Sequence, residues 1–212
     1  MSTASGKQSS KPSAPTGIQG PCRIALSIRL LNTDPPVFRR VWLDGRLNFE
    51  SLHHIVQAAM GWHDAHLHRF ELGERMIGVA DPKEEGFYDQ PVEDERRLFL
   101  NRLVSVGTKI RYVYDFGDNW EHELTVEAIE PGEMEGAAWI ESGDRACPPE
   151  DVGGPAGFVD FLDQLETEPD SERTKELRAW AGLEYNPAYF DRFSANAAVA
   201  SLFWNRWIKT RR

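Results

Sequence analysis

Only two cysteines, Cys22 and Cys147, occur in the 212 residues. They give neither a disulfide framework nor a Cys-x-x-Cys metal spacing, so both are expected to be reduced thiols. No run of about 18 apolar residues is present, which excludes a membrane-spanning helix. Residues 1–20 lack the apolar stretch of a secretory signal and are rich in Ser, Thr, Pro, Gly, Lys and Gln; a disordered leader and a cytoplasmic protein are expected. Positive charge is also short, with 24 Lys and Arg against 34 Asp and Glu. From Asp115 to Glu150 there are eleven acids against one Arg, so this stretch alone accounts for the net charge of −10. Such a chain repels phosphate backbones, and a protein partner is expected in preference to nucleic acid. The basic residues at 206–212 read as a solvated tail favoured by a helix C-terminus.

Aromatic residues are plentiful, with 7 Trp, 5 Tyr and 11 Phe to build one core. The organising stretch is Arg111 to Glu127. Ile110, Tyr112 and Tyr114 alternate before Asp115-Phe-Gly-Asp-Asn119, and Trp120, His122, Leu124, Val126 and Ala128 alternate after it. That period of two, broken by Gly with Asp and Asn, predicts a long β-hairpin. It would gather Asp115, Asp118, Trp120 and His122 at one end.

The same alternation predicts strands over 22–31 and 37–43; Trp62 to Leu72 leads into a third strand, and a short fourth follows over 75–79. Leu52, Ile55, Val56, Ala59 and Met60 follow a helical period between an Asn48 cap and a Gly61 stop. Residues 81–97 read as an acidic loop that interrupts the sheet, 98–106 as a short helical turn, and the chain after Ala128 as irregular. Helices are predicted from Pro155, over 172–181 and over 194–209, the last with Val199, Leu202, Phe203 and Trp207 inward. The expected fold is α+β: a mostly antiparallel sheet, ββαββ plus the long central hairpin, packed with helices and ending in a helical C-terminal third. Residues 21–205 would form a single domain.

Several segments together resemble the plasmid pRiA4b ORF-3-like family. They are Pro36-Val-Phe-Arg-Arg40, Leu52-His53 with Ile55-Val56-Gln57, Gly61-Trp62, and His66-Leu-His-Arg-Phe70. Tyr114-Asp-Phe-Gly-Asp-Asn-Trp-Glu-His122, Ala146-Cys-Pro-Pro-Glu-Asp-Val-Gly-Gly-Pro155, Asn186-Pro187 and Phe190-Asp191 complete the pattern in order. The resemblance implies a compact α+β domain associated with plasmids or mobile elements. Phe38 departs from the Trp usual before the Arg pair. Val152 replaces a second Cys carried by many relatives, which removes a thiol pair with Cys147.

The candidate binding residues are Arg39, Arg40, His53, Trp62, His66, His68, Asp115, Asp118, Trp120, His122, Glu150 and Asp151. The leading expectation is a binding or interaction module without a cofactor. The alternative is a metal-dependent hydrolase or nuclease, with His66, Asp115 and His122 holding a divalent ion, since imidazole with carboxylate suits zinc and similar metals. The plainer reading of His122 is a buried ring bonded to a carboxylate such as Asp115. Trp62 and Trp120 read as core aromatics, and Glu150 and Asp151 as charges favoured near a helix N-terminus. Arg39 and Arg40 must face opposite sides of their strand, and the buried one is expected to pair with Asp115 or Asp118. Serine-recombinase chemistry is excluded, because no Ser accompanies this Arg pair and the surface is acidic.

Overall fold

The computed structural model of the protein describes residues 20–79 and 91–208. The expected leader over 1–20 and the tail over 206–212 thus lie largely outside the described residues. Eight strands form one sheet: β1 (Cys22–Leu30), β2 (Phe38–Asp44), β3 (His68–Leu72), β4 (Arg75–Gly78), β5 (Val92–Asp94), β6 (Lys109–Tyr114), β7 (Trp120–Pro131) and β8 (Ala138–Asp144). Their order is β5-β4-β3-β6-β7-β1-β2-β8, antiparallel throughout except for β4 with β5. The helices are α1 (Phe49–Met60), α2 (Leu100–Leu103), α3 (Gly154–Thr167), α4 (Glu172–Ala181) and α5 (Arg192–Trp204). None of the described helices is long and apolar enough to cross a membrane. The α+β class with a mostly antiparallel sheet is as expected.

Alternation along the strands divides the sheet into two chemically different faces. Ile24, Leu26, Ile28, Val41, Leu43, Tyr112, Leu124 and Val126 are buried in the core. The opposite face carries ion pairs between strands: Arg111 with Glu71 and Glu121, Arg40 with Glu127 and Glu141, and Lys109 with Glu123. Helix α1 covers the apolar face. The Asn48 carboxamide accepts the Ser51 amide, and Gly61 ends the helix in the left-handed region with φ 92°. Its Phe49 meets Phe70 of β3 edge to face at 5.2 Å between ring centroids.

Three expectations about the chain path need correction. After Ala128 the chain continues to pair, and β8 adds an edge strand to β2. Its apolar residues are few because only Ile140 is fully buried. Part of the predicted acidic loop is strand β5, held by parallel pairing to β4, and Glu95 within it is buried against His68. Helix α5 ends at Trp204, short of Trp207; Val199 points inward, but Phe203 and, beyond the helix, Trp207 are exposed, so the expected apolar stripe is only partly a core stripe.

Candidate functional site

The turn of the central hairpin is shaped by its own side chains. Asp115 and Asn119 both adopt φ 54°, a left-handed backbone that Asp and Asn tolerate through local hydrogen bonds. Asp115 Oδ1 accepts the amides of Gly117 at 2.9 Å and Asp118 at 3.4 Å. Asp118 Oδ2 in turn accepts the Gly153 amide at 3.1 Å, fastening the turn to the Pro/Gly loop that precedes α3. The approach is close: a Cβ on Gly154 would lie 2.6 Å from the Asp118 carbonyl oxygen, and Gly154 has φ 68°. Only glycine fits there.

This junction brings four predicted residues together. His66 Nε2 lies 3.2 Å from Asp151 Oδ1, 3.6 Å from Asp115 Oδ2 and 3.9 Å from Glu150 Oε2. Glu150 is no helix-terminal charge. Its carboxylate accepts the His63 amide at 2.8 Å and the Tyr114 hydroxyl at 3.1 Å. Burial pushes the Tyr114 phenol up, and the Glu150 carboxylate adds to the effect. Trp62 stacks on Tyr114 at 4.9 Å and donates its indole N–H to the Pro148 carbonyl. Trp62 and Trp120 are core aromatics, as expected.

A second histidine cluster lies under α1, separate from the first. His53 is buried and bridges Tyr112 Oη at 2.8 Å to Asp64 Oδ1 at 2.5 Å. His54 Nδ1 meets the other Asp64 oxygen at 3.0 Å. Gln57 donates to the same Tyr112 hydroxyl and accepts the Asp64 amide, which closes the network. Burial pushes His53 down to about 4 despite Asp64. With His53 neutral, one proton placement satisfies every member: Gln57 donates to Tyr112, Tyr112 to His53, and His53 to Asp64. Burial raises the Asp64 carboxyl, but the bonds from His53 and His54 outweigh it and hold it well below the usual range. The His68 ring stacks on His53 at 3.4 Å and pairs with buried Glu95 at 2.8 Å. His54, Asp64 and Glu95 were missed in the sequence.

Three expectations fail here. His53, His66, His68, Asp115, Asp118 and His122 do not converge on one point. His53 and His68 belong to the second cluster, and His122 belongs to neither. The register pairs His122 with Tyr112, on the apolar face and inward from the turn. Its Nδ1 donates to the Trp120 carbonyl at 3.1 Å, with no bond to Asp115, and burial pushes it down to about 4. Arg39 does not pair with Asp115 or Asp118. It donates to the carbonyls of Ala59, Phe38 and Asp144 and lies 3.7 Å over the Phe190 ring, and burial pushes it down to about 10. Arg40, on the open face, takes the carboxylates Glu127 and Glu141.

Next to the His66 cluster, a cleft of about 670 Å³ opens between the end of α1, the Pro/Gly loop and helices α4 and α5. Trp180, Tyr185, Tyr189 and Phe190 supply aromatic walls, with Glu150, Asp151 and Glu184 among its acids. Its one cation among the described residues is Arg39, already occupied by three carbonyls. Cys147 also lines it, and burial pushes that thiol up, away from thiolate chemistry.

The family model for plasmid pRiA4b ORF-3-like protein matches residues 23–194. The uncharacterized protein y4hQ of Sinorhizobium fredii is 37% identical over 182 residues, covering 84% of this chain and 91% of that protein. In three dimensions, the crystal structure of MM3350 from Methanosarcina mazei, a protein of unknown function, matches with a TM-score of 0.72 at 29% identity. The match covers 82% of this chain and 97% of that one.

Proposed function

The chain belongs to the plasmid pRiA4b ORF-3-like family, and from that premise we propose that it is a cytoplasmic interaction module. Its helical C-terminal third receives a basic, partly apolar segment of a protein partner, in a setting of plasmids or mobile elements. One observation carries the reading: large apolar side chains are left in solvent mainly between residues 180 and 207. Leu183 is 84% exposed, Phe193 79% and Trp204 80%, and Trp180, Tyr189 and Trp207 are exposed as well. Scattered apolar residues need no explanation, but this concentration beside a concave cleft is the pattern of a docking surface. Charge selects the partner's chemistry. Glu184 and the carboxylates at the rim leave the cleft anionic, and aromatic walls next to carboxylates favour Lys or Arg side chains.

The metal-dependent hydrolase or nuclease reading loses His122, which is enclosed between Trp62 and Tyr112. The interaction reading is tested by titrating the protein with a peptide that alternates Leu or Phe with Lys and Arg, and with a charge-reversed version carrying Glu. Micromolar binding of the basic peptide is expected, weakened about tenfold by Glu184→Lys and by Tyr189→Ala, a loss of about 1.4 kcal/mol. Equal binding of both peptides, or none, contradicts it. Self-association in sedimentation, abolished by Trp204→Ala, would assign the surface to a second copy of the chain.

A further inference from the structure

Three carboxylates surround one imidazole at the junction of the hairpin turn and the Pro/Gly loop. Among the described residues, none of them is paired with a Lys or Arg. Their hydrogen bonds are divided in a consistent way. Asp115 keeps Oδ1 for two backbone amides and turns Oδ2 toward His66. Glu150 gives Oε1 to the His63 amide and the Tyr114 hydroxyl, which also approaches Oε2 at 3.4 Å, and turns Oε2 toward the same imidazole. Asp151 adds Oδ1 from the loop. One oxygen of each inner carboxylate is therefore pinned and the other is aimed at a common point, as outer-shell donors do for metal ligands.

We propose that His66 Nε2, Asp115 Oδ2 and Asp151 Oδ1 bind a divalent transition ion, zinc above all, with Glu150 Oε2 beside them. The three ligand atoms lie within 4.8 Å of one another. The separations of 3.2, 3.6 and 3.9 Å from the imidazole nitrogen bracket the spacing around zinc. Ligand atoms about 2.0–2.2 Å from a tetrahedral zinc stand roughly 3.3 Å apart. One nitrogen among oxygens suits zinc or manganese better than calcium or magnesium, which take oxygen ligands. The ion would tie the Pro/Gly loop to the hairpin at the edge of the cleft, where Asp118 already holds Gly153. Three carboxylates exceed the charge of one dipositive ion, so the rim stays anionic and the docking proposal is independent of this one.

His53, His54 and Asp64 also bring three possible ligand atoms together. There, however, both imidazoles already bond to Asp64, and His53 is held from behind by Tyr112. An ion could enter only by breaking that network.

The test is calorimetric titration of the full chain with zinc alone, after removal of metals by a chelator, with elemental analysis of the dialysed product. One zinc per chain is expected. His66→Asn and Asp115→Asn should each weaken binding at least about tenfold, while His54→Asn leaves it unchanged and circular dichroism shows the fold intact. Asn tolerates the left-handed backbone of Asp115, so that substitution removes a ligand and spares the turn. Asp151→Asn, at an exposed side chain, gives a third variant that does not endanger folding and should weaken binding likewise. No zinc uptake by the unmodified chain, or uptake undiminished in all three ligand variants, overturns the proposal.

Discussion

Two clusters of histidine and carboxylate lie among the described residues, and they differ in what each polar atom has left to do. Around His53, every donor meets an acceptor inside the protein, and the imidazole is stacked and enclosed. Around His66, one oxygen of Asp115 and one of Glu150 are fixed by the protein, while the other faces a shared point at the surface. The same residue types thus serve as scaffold in one place and as a candidate site in the other. Residue identity does not separate them, but the partner of each atom does.

The largest expected effect is on the scaffold side. His53→Ala removes a buried ring and leaves Asp64 and Tyr112 short of a partner. Urea unfolding should show a loss of about 3 kcal/mol, combining a cavity with unsatisfied polar groups.

Acid should act through the same interior. The ordinary histidine value is 6.5, and burial pushes His53 and His122 down to about 4 in the folded protein. Between those values the unfolded chain takes up protons that the folded chain refuses. Their contribution is therefore complete above pH 6.5 and is lost as the pH falls toward 4, on the order of 3 kcal/mol for fully buried His122. His122→Phe should remove that share of the pH dependence. A profile unchanged by the substitution would show that His122 is not held neutral by burial.

The smallest effect is expected at the open cluster. His66→Ala, without metal, should change the unfolding free energy by less than about 1 kcal/mol, because the ring is partly exposed and Asp115 and Glu150 keep their bonds to backbone amides. A loss as large as that of His53→Ala would erase the distinction between the clusters.

Local rules made much of the frame legible. The alternation on each side of Asp115–Asn119 located the hairpin, and Asn48 with Gly61 bounded α1 at its true ends. The helix expected from Pro155 is present, with Pro155 in the first turn of α3. Strand β8 was hidden because it is an edge strand in an acidic stretch, where pairing to β2 outweighs a weak apolar pattern. In the site, Asp115 and His66 were named, but His122 was grouped with them because nearness along the chain was taken for nearness of side chains. The strand period turns His122 into the core at the level of Tyr112. The partners of Arg39 were illegible for another reason: three main-chain carbonyls and the face of Phe190 leave no trace in residue types. Asp64 reaches His53 only through the reversal after Gly61 and its own left-handed backbone at φ 56°.

The most direct test of the difference between the clusters is urea unfolding with and without zinc, run in parallel on the unmodified chain, His66→Asn and His54→Asn. A ligand bound only by the folded state at about 100 times its Kd adds about 2.7 kcal/mol. The account predicts that gain in the unmodified chain and in His54→Asn, and its disappearance in His66→Asn. A gain that survives in His66→Asn and vanishes in His54→Asn would place the ligand at the enclosed cluster and contradict the account.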